Sequence, residues 1–295
     1  MTDVVEAQAV AAGPDSAGAP PVDQRHRSDR RRSAIGIVGP IATFGVFVGV
    51  WYLMHYWALR ALWDKPPFLV PAPHVVVKES FLDTERLTEM LRATRFTGYI
   101  SLIGLGIAIV IGMLLAFAMA QAQWLERSVW PYLVALQAIP VIALTPLIGS
   151  IWGFGTVGRV VVCIIISMFP IVANTLFGLL SADRGQHDLF TLRGASRRTR
   201  MFRLQFPGAL PAIFGGFRIA AGLSVIGAIV GELFFRRGEK GIGILLADYR
   251  SQNQAPEAYG AMIMAAVLGI TLFALFGWVS HLVVGKWHES TRKTG

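Results

Sequence analysis

Residues able to do chemistry are sparse in this chain, and their placement is unusual. Arg218 and Glu232 are ionisable residues inside long apolar stretches, and Gln137 and Asn174 are polar residues in similar surroundings. An ionisable group at membrane depth is costly, so it faces protein or water rather than lipid. Arg218 and Glu232 stand 14 positions apart, about 21 Å along a helix, which is too far for them to pair directly. Arg218 is expected to anchor near the inner face or to bond neighbouring backbone, and Glu232 to stand near the outer mouth, where it could touch a gate. Gln137 and Asn174 either face a passage or hydrogen-bond between helices. His55 and His281 stand near the ends of apolar stretches, as interfacial residues do. No His/Cys cluster has metal-ligand spacing, no Ser/His/Asp set gathers near one stretch, and no Gly-rich loop ends in Lys-Ser/Thr. A metal centre, a catalytic triad and a nucleotide-binding loop are therefore not expected.

Elements that must carry these groups follow from composition. Of 295 residues, 54% are hydrophobic and only 15% charged, against about a quarter charged in a soluble domain. The apolar residues form blocks long enough to cross a hydrocarbon core of about 30 Å. Six spans are expected: residues 35–57, 97–120, 128–157, 160–180, 208–235 and 258–285. Pro140, Pro146 and Pro170 lie within the third and fourth of these, where each removes a helix hydrogen bond and allows a kink. Trp152 to Thr156 reads as an interfacial turn. The Pro-rich connection after the first span forbids continuous helix there, although 75–92 could form a short surface helix. The net charge of +9 sits mainly beside the apolar blocks, a pattern of membrane orientation and anionic-lipid contact rather than of nucleic-acid binding. Cys163 is alone, which excludes an internal disulfide, and reads as a small packing residue. No cleavable signal peptide is expected, and residues 1–33 read as a disordered tail ending in a basic run. Six spans put both termini on one side, and the Lys/Arg bias makes that side cytoplasmic.

One connection is long and basic. Between Ser181 and Phe206 stand Arg184, Arg193, Arg197, Arg198, Arg200 and Arg203, interleaved with Phe190, Leu192, Met201, Phe202 and Leu204. The expected form is two short helices hinged at Gly194, with Pro207 breaking the chain before the next span. Such a segment presents an apolar ridge with a charged rim to a soluble partner, or lies as an amphipathic helix on anionic lipid.

Spacing favours the first of these. Gly194 is followed after nine residues by Leu204-Gln205-Phe206-Pro207, and Asp188 stands six positions before it. This resembles the coupling loop, or EAA motif, of ABC-importer permeases, with Leu189 and Phe190 in place of two alanines. Leu69 to Pro73, Gln137 to Leu147, Trp152 to Gly155, Phe169 to Gly178, Gly215 to Ala220 and Gly231-Glu232 with Gly241 to Gly243 are similar in order and spacing to the nitrate/sulfonate/taurine group of those permeases.

The resemblance implies an all-α integral membrane protein with the type I ABC importer permease fold. It implies residues 1–33 as a cytoplasmic tail, 34–96 as the first span and outer connection, 97–285 as the permease core with a coupling loop at 181–207, and 286–295 as a second tail. Asp188, Phe190, Gly194, Arg197, Arg198, Leu204, Phe206 and Pro207 are implied to meet a cytoplasmic ABC ATPase dimer. Gln137, Pro140, Asn174 and Glu232 are the candidates for the translocation path. A second permease copy and an extracytoplasmic substrate-binding protein complete the implied assembly, set in membrane lipid. No cofactor is implied in this chain, since ATP and Mg would be held by the ATPase and hydrolysed there. The implied substrate is nitrate, a sulfonate, taurine or a vitamin precursor, and the reading leans to an organic sulfonate or related small anion. A secondary transporter would need ion-coupling groups at the midplane and inverted repeats, neither of which is evident; a lipid-binding membrane anchor is the remaining alternative.

Overall fold

The computed structural model describes residues 22–64 and 66–285, so expectations for 1–21 and 286–295 lie outside the described residues. The chain divides into two units at Asp64. In the first, α1 (Val22–Leu53) passes through a π-helical turn at Met54–Ala58 into α2 (Leu59–Trp63). The stretch Val38–Leu62 is long and apolar enough to cross a membrane. Helix therefore reaches back over the basic run Arg25 to Arg32, where the sequence suggested a disordered tail to residue 33. Arginine is a good helix former, and no proline interrupts the chain between Val22 and Gly39, so helix propagates backward from the apolar segment.

The second unit opens with a 3-10 turn at Pro67–Leu69 and α3 (Pro73–Val76), which continues through a π-helical turn at Val77–Phe81. Then comes α4 (Thr84–Gln121), whose start is fixed by Asp83: its side chain accepts from the backbone N–H groups of Glu85 at 2.9 Å and Arg86 at 3.2 Å. That cap divides the expected 75–92 surface helix, and everything from Thr84 onward belongs to the second span. Two helices, α5 (Gln123–Ala138) and α6 (Val141–Trp152), replace the single third span, and they meet at 101°. Pro140 is the cause. It has no N–H to give the helix and holds Ile139 extended, at φ −74° and ψ 125°. Pro146 falls within α6 and Pro170 within α7 (Thr156–Leu180), and neither interrupts its helix. Between them Gly153 turns the chain at φ +82°, as expected for the Trp152 to Thr156 segment.

The basic connection follows as α8 (Arg184–Leu192) and α9 (Arg197–Arg200), then a π-helical turn at Met201–Gln205 and α10 (Phe206–Phe234). Beyond it lie α11 (Ile242–Ser251) and α12 (Ala255–Val284). No strand occurs among the described residues. Five stretches are long and apolar enough to span a membrane, and the bent α5–α6 pair makes a sixth.

The core forms where α7 packs on α10, with α4 against both and α12 along α10. Leu105, Ile171, Ile213, Phe217, Val225 and Leu272 fill it. Lipid offers apolar side chains no contrast, so close approach between helices is what binds them. Glycines allow it: a Cβ on Gly104 would stand 2.3 Å from Cys163 Cβ, and one on Gly178 would stand 2.9 Å from Ala212 Cβ. Cys163 is buried at that crossing as a packing residue, its Sγ 3.4 Å from the Ser224 carbonyl.

Candidate functional site

Local chemistry shapes the basic connection. Asp183 caps α8 by accepting from the Gly185 N–H at 3.1 Å. The helix ends in two backward hydrogen bonds, from Ala195 N–H to the Phe190 carbonyl and from Gly194 N–H to the Thr191 carbonyl, each 2.9 Å. This pairing needs a left-handed residue at Gly194, which takes φ +64°. Ser196 then caps α9 by accepting from Thr199 N–H at 3.2 Å. The hinge at Gly194 is thus present, with a helix on each side.

Pro207 does something different from what its type suggests. Helix runs unbroken from Arg197 to Phe234, passing straight through it. The π-helical turn just before it widens the coil, with the Phe206 N–H reaching back to the Met201 carbonyl. That shift takes up the bond and the space a proline ring denies to an ordinary α-helix. The break was expected one residue ahead of the fifth span; a local bulge removes the need for it.

The apolar ridge divides in two. Met201 is buried and Phe206 packs on Phe117, with ring centroids 5.7 Å apart, fastening α10 to α4. Phe190 and Leu204 are half-buried. Leu189, Leu192 and Phe202 instead face outward, at 55%, 88% and 66% exposure, and Leu189 was not singled out by sequence for contact. Asp188, Gly194, Arg197, Arg198 and Pro207 are exposed around them. Because the Ala that replaces Gly194 would meet no atom within 4 Å, its only cost is the left-handed backbone, about 1–2 kcal/mol. Gly194→Ala is accordingly expected to speed amide exchange at residues 194 and 195 by about tenfold while the apolar helices keep their protection. Unchanged exchange there would mean the turn is not held by this motif.

The remaining sequence candidates lie apart from this loop. Gln137 and Pro140 are exposed at the α5–α6 break. Asn174 is half-buried, and its Nδ2 donates to the Pro170 carbonyl at 2.8 Å. Arg218 stacks over the Phe273 ring at 4.0 Å.

Glu232 is fully buried near the end of α10 opposite the basic loop. Its Oε1 accepts from Thr97 Oγ1 at 2.8 Å, and its Oε2 accepts from the Gly243 N–H at 2.7 Å. Thr97 Oγ1 in turn accepts from the Ile242 N–H at 2.9 Å. One carboxylate therefore joins α4, α10 and the start of α11. Beside it is Arg159, the largest fully buried side chain. Its Nε donates to the Phe235 carbonyl at 2.7 Å, its Nη1 to Glu239 at 2.8 Å and its Nη2 to Arg237 at 3.0 Å. A planar guanidinium can reach three carbonyls of one loop in this way, where an ammonium could not. The Phe96 ring lies 5.6 Å from Arg159 Cζ. Gly231 and Gly241 leave room for the pair: a Cβ on the first would stand 2.9 Å from Arg159 Cα, and one on the second 2.0 Å from Glu232 Oε1.

Arg159 and Thr97 are absent from the sequence candidates. Arg159 stands one residue before the apolar block expected for the fourth span, outside every expected span, whereas α7 begins three residues earlier. The available signal was its position just past the Gly153-Phe-Gly155 turn, inside rather than before a helix.

Residues 108–288 match the family model described as the inner membrane component of binding-protein-dependent transport systems. The chain is 36% identical over 239 residues to the formylaminopyrimidine transport permease ThiX of Halalkalibacterium halodurans, covering 80% of this chain and 93% of that protein. It is also 36% identical over 171 residues to the riboflavin transport system permease RibX of Chloroflexus aurantiacus, covering 58% of this chain and 63% of that one. In fold it is similar to a chain of the MetNI methionine ABC transporter solved in inward-facing conformations, with a TM-score of 0.59, 16% identity, and coverage of 68% of this chain and 99% of that one.

Proposed function

This chain belongs to the inner-membrane-component family of binding-protein-dependent transport systems, and on that premise we propose that residues 181–207 are the handle by which a cytoplasmic ATPase moves it. The chain is a multi-pass permease subunit of an ABC importer, residing in the inner membrane, and permeases of this family work with ATPase and substrate-binding partners. Bond chemistry on ATP, with its Mg, is assigned to the ATPase. A second permease copy is assigned to the other half of the passage.

One observation carries the coupling reading: helix continues from Arg197 through Phe234 without a break. Its length of 38 residues is about 57 Å at 1.5 Å per residue. It starts at the outward-facing Phe202 and arginines and ends at the Glu232 junction. Force applied at α9 is delivered along one rod to the far end of the bundle, instead of being lost at a flexible joint. Alternating access is then a two-state equilibrium that the ATPase biases from one end and the loaded binding protein from the other. Leu189, Leu192 and Phe202 supply the apolar contact, with Asp188, Arg197 and Arg198 as its charged rim. Gln137 and the Pro140 break, both exposed, are assigned to the passage wall. Asn174 and Glu232 shape that wall from behind, since their polar atoms have partners within the chain.

Leu192→Asp with Phe202→Asp is expected to abolish co-purification with the ATPase and lower transport-coupled ATP hydrolysis by at least about tenfold, as removal of an interface anchor does. Altering Gly194 and Pro207 together is expected to act likewise. If the double variants keep a full complement of ATPase with normal stimulation, the handle is elsewhere.

For the substrate, the 36% identity to permeases named for formylaminopyrimidine and riboflavin supports a small nitrogen heterocycle ahead of the organic sulfonate favoured by sequence. A neutral heterocycle needs no cationic partner in the spans, where Arg159 is engaged by carbonyls and Arg218 stacks on the Phe273 ring. Uptake of labelled formylaminopyrimidine, compared with an alkylsulfonate and nitrate in cells expressing the complete system, distinguishes them. Accumulation of the sulfonate alone would restore the sequence expectation.

A further inference from the structure

Where α4 ends and α5 begins, the basic loop encloses an open cavity of about 510 Å3. Its polar lining includes Gln121, Gln123, His187, Arg197, Arg200 and Gln205, and Trp124 lines it as well. No carboxylate lines it, although Glu126, Asp183 and Asp188 lie on the same elements. Neither arginine has an ion pair among the described residues. Arg200 Nη2 makes only a 3.5 Å contact with the Ala195 carbonyl, and its Nε is buried with no hydrogen-bond partner. Arg200 and Arg197 both line the cavity, and a guanidinium with so few acceptors offers its remaining N–H groups to an anion's oxygens in charge-assisted hydrogen bonds.

Depth points to the kind of anion. Gln121 is the last residue of a membrane-spanning helix, and Gln123 and Trp124 begin the next, so the turn between them stands at the membrane boundary. Trp124 is 71% exposed there, and an exposed indole at the end of a span sits at headgroup level. The cavity therefore opens where phosphate groups of lipid are concentrated. We propose that this cavity, walled by His187, Arg197, Arg200 and Gln121, is a binding site for a phosphate anion, seated between the end of the second span and the basic loop. A phosphodiester headgroup and free inorganic phosphate share that chemistry. Bound there, the anion links α4 to α8 and α9 and sets the rest position of the loop.

The test uses the full-length chain in detergent, without any partner, so its result is independent of ATPase docking. Native mass spectrometry is used to compare retention of phosphatidylglycerol with retention of phosphatidylcholine. Phosphatidylglycerol is expected to be preferred by about fivefold or more, the worth of one well-placed arginine near anionic lipid. Arg200→Gln should erase most of that preference, and Arg184→Gln, which alters an exposed arginine outside the cavity, should leave it. Because Arg200→Gln could misfold, Gln121→Glu serves as a second probe: it adds a carboxylate to the wall and should also erase the preference. Displacement of the lipid by millimolar inorganic phosphate assigns the site to free phosphate, and its failure to displace assigns it to the headgroup. Equal retention of the two lipids with no effect of phosphate overturns the proposal, as does a preference that survives both cavity variants.

Discussion

Arg159→Leu is expected to lower stability by about 3–5 kcal/mol, the usual result of removing one partner from a buried, fully bonded charge. Three carbonyls of the 235–239 segment would lose their donors at once. The Phe235 carbonyl, on a buried residue, would be left without a partner at roughly 1–3 kcal/mol, whereas those of Arg237 and Glu239 belong to exposed residues that water can reach. Glu232 would also lose the favourable charge of Arg159. In a thermal melt of the purified protein this is a fall on the order of 10 °C, at about 2–4 °C per kcal/mol. Arg159→Lys keeps the charge but not the three-pronged fork, so it should recover only part of the loss. The double change Arg159→Leu with Glu232→Leu should lose less than the sum of the two single changes, because no charge is then buried alone, yet the buried Phe235 carbonyl stays orphaned and recovery stays incomplete. A wild-type melt for Arg159→Leu would show that these bonds do not hold the loop. Transport should fail with the melt, since the 235–239 segment loses its attachment to α7.

Gly104→Val and Gly106→Val, two positions apart on α4, are expected to differ sharply. A Cβ at Gly104 meets Cys163 Cβ at 2.3 Å and the Val160 carbonyl at 3.3 Å, whereas one at Gly106 meets nothing within 4 Å. No rotamer relieves the first clash, because the obstruction is Cβ against Cβ on two packed helices. The helices must move apart, giving up the close packing that binds them where lipid supplies no hydrophobic drive. Overpacking of this kind costs about 1–3 kcal/mol when side chains can shift, and the upper part of that range is expected here, where backbone must move. Gly106→Val should leave the melt and the monodisperse fraction near wild type. Similar behaviour of the two variants would mean that α4 and α7 do not cross at Gly104. Substituting Cys163 by Ala in the Gly104→Val background should not rescue it, since the offending atom is the Cβ that alanine retains.

Much of this architecture was legible before any coordinates. Apolar blocks of span length have one low-cost solution, helix, because a backbone in lipid must bond to itself. The hinge at Gly194 was legible for an equally local reason, a left-handed residue closing α8. The turn at Gly153 belongs with them. In each case the deciding interaction lies within a few residues along the chain.

What only the tertiary structure decided is where distant polar groups meet. Glu232 read as a mouth residue because sequence shows its depth but not its neighbours; Thr97 and Gly243 come from α4 and from the start of α11 to meet it. Arg159 drew no reading from sequence because its three acceptors are carbonyls, which every residue carries and no residue type marks. Pro207 read as a break because the relief for its missing N–H is a bulge in the preceding turn, a choice among nearly equal helical states made by packing of Met201 and Phe206 against the core. Residue type sets what a segment must do in a membrane. Which buried donor finds which acceptor is settled when the helices pack, since the cost of an unbonded polar group is borne only once water has been excluded.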